Sequence, residues 1–238
     1  METFTLNQFL TMFAATCVTC SCFAQEKSKF EITPAADIVS SYVWRGVYQT
    51  SASVQPSVKA SYAGLSLTAW GSTDFNTTAK EFDLTLGYTT GGLTLAVTDY
   101  WWAGEGNQYG NYSANHFFEG TVGYNFGENL PLYINWNTMF GMDGDKNAEG
   151  DQQYSTYIEA GYGFKVSDVD VTTSIGVSPW TGMYHKEGKD GFALSTLSVK
   201  ASKSIRFSDS FSLPVFAQAI VAPNRDNVFL VFGAPGRR

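Results

Sequence analysis

The sequence predicts an all-β chain: a 12-stranded antiparallel transmembrane β-barrel with short periplasmic turns at one end and longer extracellular loops at the other. Three observations predict it. Apolar and polar residues alternate with a period of two, in units of about ten residues separated by turn clusters, from residue 35 to residue 233. The connections between units alternate in length. The composition also suits strands, with 16% aromatic residues and 23 glycines among 238 residues, and no stretch carries a helical period.

Ahead of the barrel, residues 9–24 (FLTMFAATCVTCSCFA) form an uncharged apolar run too short to cross a bilayer as a helix. Residues 1–24 read as a signal peptide cleaved after Ala24, although the first residues, METFTLNQ, carry Glu2 and no Lys or Arg. Residues 25–34 are a periplasmic lead. Cys17, Cys20 and Cys22 all lie in the leader, so the exported chain is expected to hold no cysteine, which excludes a disulfide scaffold and a thiolate metal centre. The net charge is −7 and Glu2 is the leader's one charged residue. An acidic exported chain is a poor partner for nucleic acid. After Ala24 no apolar run reaches the roughly 20 residues of a membrane helix, so any membrane crossing falls to strands.

In order, the units are 35–47, 53–63, 64–73, 80–89, 92–102, 116–126, 131–141, 153–164, 168–179, 192–204, 211–222 and 226–233. The first places Ile38, Ser40, Tyr42 and Trp44 on one parity and Asp37, Val39, Ser41, Val43 and Arg45 on the other. The second sets Val54, Val58, Ala60 and Tyr62 against Ser57, Lys59 and Ser61, with Pro56 interrupting its ladder. In the fourth, Phe82, Leu84, Leu86 and Tyr88 oppose Glu81, Asp83, Thr85 and Gly87. The fifth carries one misfit, Asp99 on the oily parity, which must sit above the hydrocarbon or beside a bulge. The sixth opposes Phe118, Val122, Tyr124 and Phe126 to Glu119, Thr121 and Gly123. The seventh and ninth repeat the pattern, Leu132, Ile134, Trp136 and Phe140 against Tyr133, Asn135 and Asn137, then Val169, Val171, Ile175 and Val177 against Asp170, Thr172, Ser174 and Gly176. Pro214 stands near a strand start, where it is tolerated.

The connections separate a barrel from a β-sandwich. Residues 63–64, 89–91, 127–130, 165–167 and 205–210 are short turns; 73–79, 103–115, 142–152, 180–191 and 223–225 lie between them and are polar, and the first, 48–52, is modest. A sandwich has no reason to keep its long loops at every second connection. Aromatics gather where interfacial girdles would sit: Trp101, Phe140, Trp180 and Tyr184 at the outer end, Tyr62, Tyr88, Phe126 and Phe164 at the periplasmic end.

On this reading Asp37, Arg45, Lys59, Glu81, Asp83, Glu119, Glu159, Asp170 and Lys200 line the lumen, with acids in excess. On the lipid parity an arginine at the midplane would cost roughly 2 to 4 kcal/mol. Arg45 then has two compatible roles: lining a permeation path and setting its charge preference, or pairing with a lumenal acid to fix the barrel's register. Twelve strands are intermediate between barrels filled by side chains and barrels with an aqueous channel. Ser57, Ser61, Gly87, Gly123, Gly161 and Gly176 favour an opening, while Trp70, Tyr133, Tyr157 and Phe216 can fill it.

The run DIVSSYVWRGVYQT, residues 37–50, followed by GLSLTAWGSTDF and KEFDLTLGY, resembles the TorF-type porin family of Gram-negative outer-membrane proteins. That family opens its barrel with a Tyr-x-aromatic-Arg-Gly-x-x-Gln segment, met here by Tyr42, Trp44, Arg45, Gly46 and Gln49; the likeness continues through NWNTMFG and FSLPVFAQ to NVFLVFG. The resemblance implies a bacterial outer-membrane barrel that passes small solutes. The expectation drawn from the whole sequence is a monomeric porin without cofactor, whose partners are outer-membrane lipid, small hydrophilic solutes and the barrel-insertion machinery. The excess of lumenal acids adds a mild preference for cations. The alternative is a closed structural or adhesive barrel using aromatic, acidic surface loops. Phe232 is followed by GAPGRR, a polar tail at 234–238 where such barrels end on an aromatic residue.

Enzymatic chemistry has little footing. His116 and His185 fall at or in loops, and no GxSxG elbow, HExxH pair or phosphate loop is present. A barrel phospholipase would need His116 as base beside a strand serine. The loop DGDKNAEGD, residues 143–151, has Asp143, Asp145 and Asn147 at calcium-loop offsets, but Ala148 replaces the glycine and Tyr154 the terminal glutamate, so the expectation is a solvated acidic loop and no metal site. A third reading is a soluble exported sandwich that binds carbohydrate through Trp101, Trp102 and Tyr109.

Overall fold

A computed structural model describes residues 29–76, 80–103, 108–112, 115–141 and 144–236; the expected leader, residues 1–24, lies outside the described residues. The wall strands are β1 (Glu31–Val39), β4 (Ser53–Tyr62), β5 (Leu65–Asp74), β6 (Lys80–Thr90), β7 (Leu93–Ala103), β8 (His116–Asn125), β9 (Leu132–Phe140), β10 (Thr156–Val166), β11 (Val169–Ser178), β12 (Ala193–Arg206), β13 (Ser212–Ala222) and β14 (Asn227–Ala234). They close into one antiparallel barrel of 12 strands in the order β1-β14-β13-β12-β11-β10-β9-β8-β7-β6-β5-β4. The two remaining strands, β2 (Tyr42–Trp44) and β3 (Val47–Thr50), pair only with each other. Closure leaves almost no free sheet edge, so backbone polar groups are met within the wall.

The alternation read from the sequence is the alternation of the wall. Leu67, Leu86, Val122 and Leu230 point outward and are 52%, 55%, 53% and 61% exposed, with no second sheet against them. The opposite parity turns inward, and its largest side chains lie flat on the wall. Tyr157 covers Gly176, where a Cβ would overlap its hydroxyl, and Tyr133 covers Gly161 in the same way. These glycines therefore seat aromatic rings and do not widen the lumen. Gly176→Ala should destabilise the barrel by about 1 to 3 kcal/mol, read as a lower urea midpoint for the refolded protein in micelles.

The first strand departs from expectation. It runs over Glu31–Val39, not 35–47, because the chain leaves the wall at Ser40 and folds β2 and β3 into the barrel. The first outer connection is thus 40–52, a long one, in keeping with the others at that end.

Closure between β1 and β14 is brief: Ile38 faces Ala234 and Val39 faces Gly233, then Ser40 N–H donates to the Phe232 carbonyl at 2.8 Å. Toward the short-turn end, β13 extends past the last β14 pairing at Phe216. Ser40 donates toward β14, so alternate β1 residues back to Pro34 face that side. Phe211 accepts from Phe207 of the β12 side, so Pro214 likewise faces β14. Both edges beside the short strand thus present a proline, which has no N–H to offer another strand.

Candidate functional site

The hairpin β2–β3 turns through Arg45 and Gly46, both in the left-handed region at φ 52° and 81°, with Trp44 opposite Val47. This is the two-residue turn whose twist matches paired strands. Glycine suits the second position on two counts, its φ and its approach to the wall, where a Cβ would stand 2.9 Å from the Ser195 carbonyl oxygen. Holding Arg45 at positive φ costs on the order of 1 to 3 kcal/mol, which its contacts must offset.

Those contacts are extensive. The guanidinium donates through Nη1 to Glu119 Oε2 and to the Tyr184 hydroxyl, and through Nη2 to Glu119 Oε1 at 2.9 Å. Its Cζ lies 4.5 Å from the Trp44 ring centroid, 5.1 Å from Tyr157 and 5.3 Å from Tyr184. Glu119 on β8 also accepts from Tyr100 at 3.0 Å. The Arg45 side chain is 11% exposed and that of Glu119 1%. A bidentate, aromatic-walled pair of this kind fixes one geometry. It anchors the hairpin tip against β8 and the 179–192 loop.

Two sequence expectations are corrected here. Tyr42 and Trp44 face the lumen interior and not lipid: Trp44 packs on Tyr100, Trp102 and Tyr184, and Tyr42 on Trp70. Tyr184, expected in the outer girdle, is 1% exposed and part of the Arg45 cage.

Polar cavities flank the hairpin. One of about 310 Å³ lies between Arg45 and β9–β13, lined by Asn135, Asn137, Glu159, Thr196 and Ser198. Another of about 320 Å³ lies toward β1 and β14, lined by Asp37, Gln55, Lys200 and Gln218. Glu159 accepts from Tyr133 at 2.8 Å and Tyr157 at 3.0 Å, and Lys200 Nζ sits 4.1 Å from the Phe216 ring centroid. Glu81 and Asp83 are buried on the wall of β6 behind Tyr42, whose hydroxyl donates to Glu81 at 3.3 Å. Lys59 and Asp170 stand apart from this cluster, exposed toward the short-turn end, Asp170 beside Lys165 at 3.3 Å.

A second polar cluster lies on the outer face. Asp99 meets no bulge in β7. Its carboxylate bonds His116 Nδ1 at 2.8 Å and the Tyr109 hydroxyl at 3.1 Å, while His116 Nε2 bonds the Tyr109 carbonyl at 2.8 Å. Tyr112 stacks on the imidazole at 4.1 Å. Asp99 is 8% exposed and His116 1%, so the pair is roofed by loop tyrosines. His116 opens β8, at the loop boundary where the sixth unit begins.

The 144–155 segment is closed by Asp145, which accepts from Ser155 N at 2.8 Å, Ser155 Oγ at 2.5 Å and Gln152 Nε2 at 3.1 Å. At 3% exposure it is a buried loop anchor, not the solvated acid expected; Asp143 lies outside the described residues.

What the sequence reading missed is the hairpin and the aromatic set it engages, Trp44, Tyr100 and Tyr184. The available signal was Trp44-Arg45-Gly46-Val47, an X-Gly pair between alternating β-formers. Comparison with protein-family models and with curated proteins finds no match for this chain.

Proposed function

We propose that the protein is an outer-membrane β-barrel that passes small hydrophilic solutes through a lumen narrowed by its own β2–β3 hairpin, with a mild preference for cations. The observation that carries this reading is the pair of polar cavities left on either side of the hairpin, inside a barrel whose outer face is apolar. The apolar belt suits lipid, and the alternation of short turns with long loops suits an outer-membrane orientation. The resemblance to TorF-type porins points the same way. Arg45 and Glu119 neutralise each other, as do Lys165 and Asp170, leaving Asp37, Glu81, Asp83 and Glu159 against Lys59 and Lys200 among the charges expected on the inward parity. That balance favours cations. Lipid and the barrel-insertion machinery are the partners this reading requires, with the monomer as the working unit.

Planar-bilayer recording of the refolded protein tests it. The expected result is small, discrete openings with potassium more permeant than chloride; anion selectivity would contradict the proposal. The caged Arg45 tip favours a second reading, a closed barrel serving the surface through its loops. Silence of the wild-type protein in the same recordings would select it.

A further inference from the structure

The inward wall behind the hairpin holds a group of oxygens that the Arg45 cage does not use. Glu81 and Asp83 stand two residues apart on the inward parity of β6, 9% and 7% exposed. Ser72, 7% exposed, lies directly across from Glu81 on β5. The Asp83 Oδ1 and Ser72 Oγ atoms are buried with no hydrogen-bond partner. Among the described residues, no lysine or arginine forms an ion pair with either carboxylate: Arg45 is engaged by Glu119, and the other pairs lie elsewhere on the molecule. Two adjacent carboxylates taken out of water need a counter-charge, and a buried oxygen with no partner needs something to bond.

From these positions we infer that Glu81, Asp83 and Ser72 form a binding site for a small hard cation, of which calcium is the best match. The donors are all oxygen, as calcium prefers, and two carboxylates balance its charge; calcium's flexible coordination lets water complete the shell where magnesium demands a stricter octahedron. Tyr42 of the hairpin donates to Glu81, so the site joins wall to plug, and a bound cation stiffens that junction. Trp102, opposite Glu81 on β7, brings a buried indole N–H to the side of the Glu81 carboxylate. Being a donor, it serves a carboxylate or shell-water oxygen and not the cation. The inference stands on the wall geometry and is independent of whether the lumen conducts.

Calorimetric titration of calcium chloride into refolded, chelator-treated protein in micelles tests it, with magnesium and sodium chloride as comparison arms. The expected result is one saturable calcium site per chain, weakened at least tenfold in Asp83→Asn and severalfold in Ser72→Ala. Asp170→Asn, an exposed acid away from the site, should bind as the wild type does. Ser72→Ala removes one hydroxyl and no charge, so it keeps the test decisive if Asp83→Asn does not refold. Absence of saturable heat in the wild type, or calcium binding unchanged in both site variants, would overturn the site. The first outcome would mean that a shared proton, not a metal cation, neutralises the two carboxylates.

Discussion

Arg45→Ala is expected to lower barrel stability by about 3 to 5 kcal/mol, the usual cost of stranding one partner of a buried ion pair, and to raise single-channel conductance severalfold. The stranded group is Glu119, whose side chain is 1% exposed and loses two donated hydrogen bonds with the guanidinium. The conductance change follows from the hairpin, since Arg45 is its tip and supplies its charged link to β8. Urea unfolding in micelles gives the first quantity and bilayer recording the second. Glu119→Gln in the same background removes the stranded charge, so the double variant should recover part of the lost stability. Equal losses in the single and double variants would mean that the pair does not hold the hairpin.

His116→Ala should lower stability by about 1 to 3 kcal/mol, because it takes a hydrogen-bond partner from the buried Asp99 carboxylate. Asp99 sits on the outward parity of β7 among Leu95, Val97 and Trp101, and its carboxylate is tolerated there because His116 and Tyr109 bond it beneath a tyrosine roof. Without the imidazole, Asp99 keeps one protein donor from this cluster and Tyr112 loses its closest stacking contact, at 4.1 Å. Protease sensitivity around Tyr109 should rise together with the fall in stability. Asp99→Leu combined with His116→Ala should recover much of the loss, because neither polar group then remains to be satisfied.

The wall was legible in the sequence because an apolar outer face and a polar inner one write a period of two into every strand. Phe82, Leu84, Leu86 and Tyr88 could only lie together, and Glu81, Asp83, Thr85 and Gly87 had to share the other face. The hairpin was not legible for the same reason. Ser-Tyr-Val-Trp continues the alternation of β1, and a strand folded into the lumen has the same local period as one in the wall. Only the pairing of Trp44 with Val47, and the absence of a wall neighbour for either strand, distinguishes them.

The charges follow the same division. Glu81, Asp83, Glu119 and Glu159 occupy the inward face as their parity requires, whereas the partner of each depends on contacts far along the chain. Glu119 meets Arg45 across 74 residues and Tyr184 across 65. Asp99 announced itself as a misfit, but its resolution needed a loop tyrosine and a histidine on the next strand, which no local pattern connects. Tyr184 belongs by sequence with the aromatics that gather at strand ends, yet tertiary packing draws it inside.

The function proposed requires that one parity of each wall strand meet lipid while the other encloses a polar lumen. Single spin labels at positions 81 to 88 of β6, in protein reconstituted into bilayers, test it most directly through collision with dissolved oxygen and with a water-soluble nickel complex. The native cysteines are confined to residues 17–22, so each introduced thiol can be labelled alone in protein expressed from residue 25 onward. Strong alternation is expected, with 82, 84, 86 and 88 open to oxygen and closed to nickel and 81, 83, 85 and 87 shielded from oxygen. Equal oxygen access at both parities, or nickel access along the even positions, would contradict it.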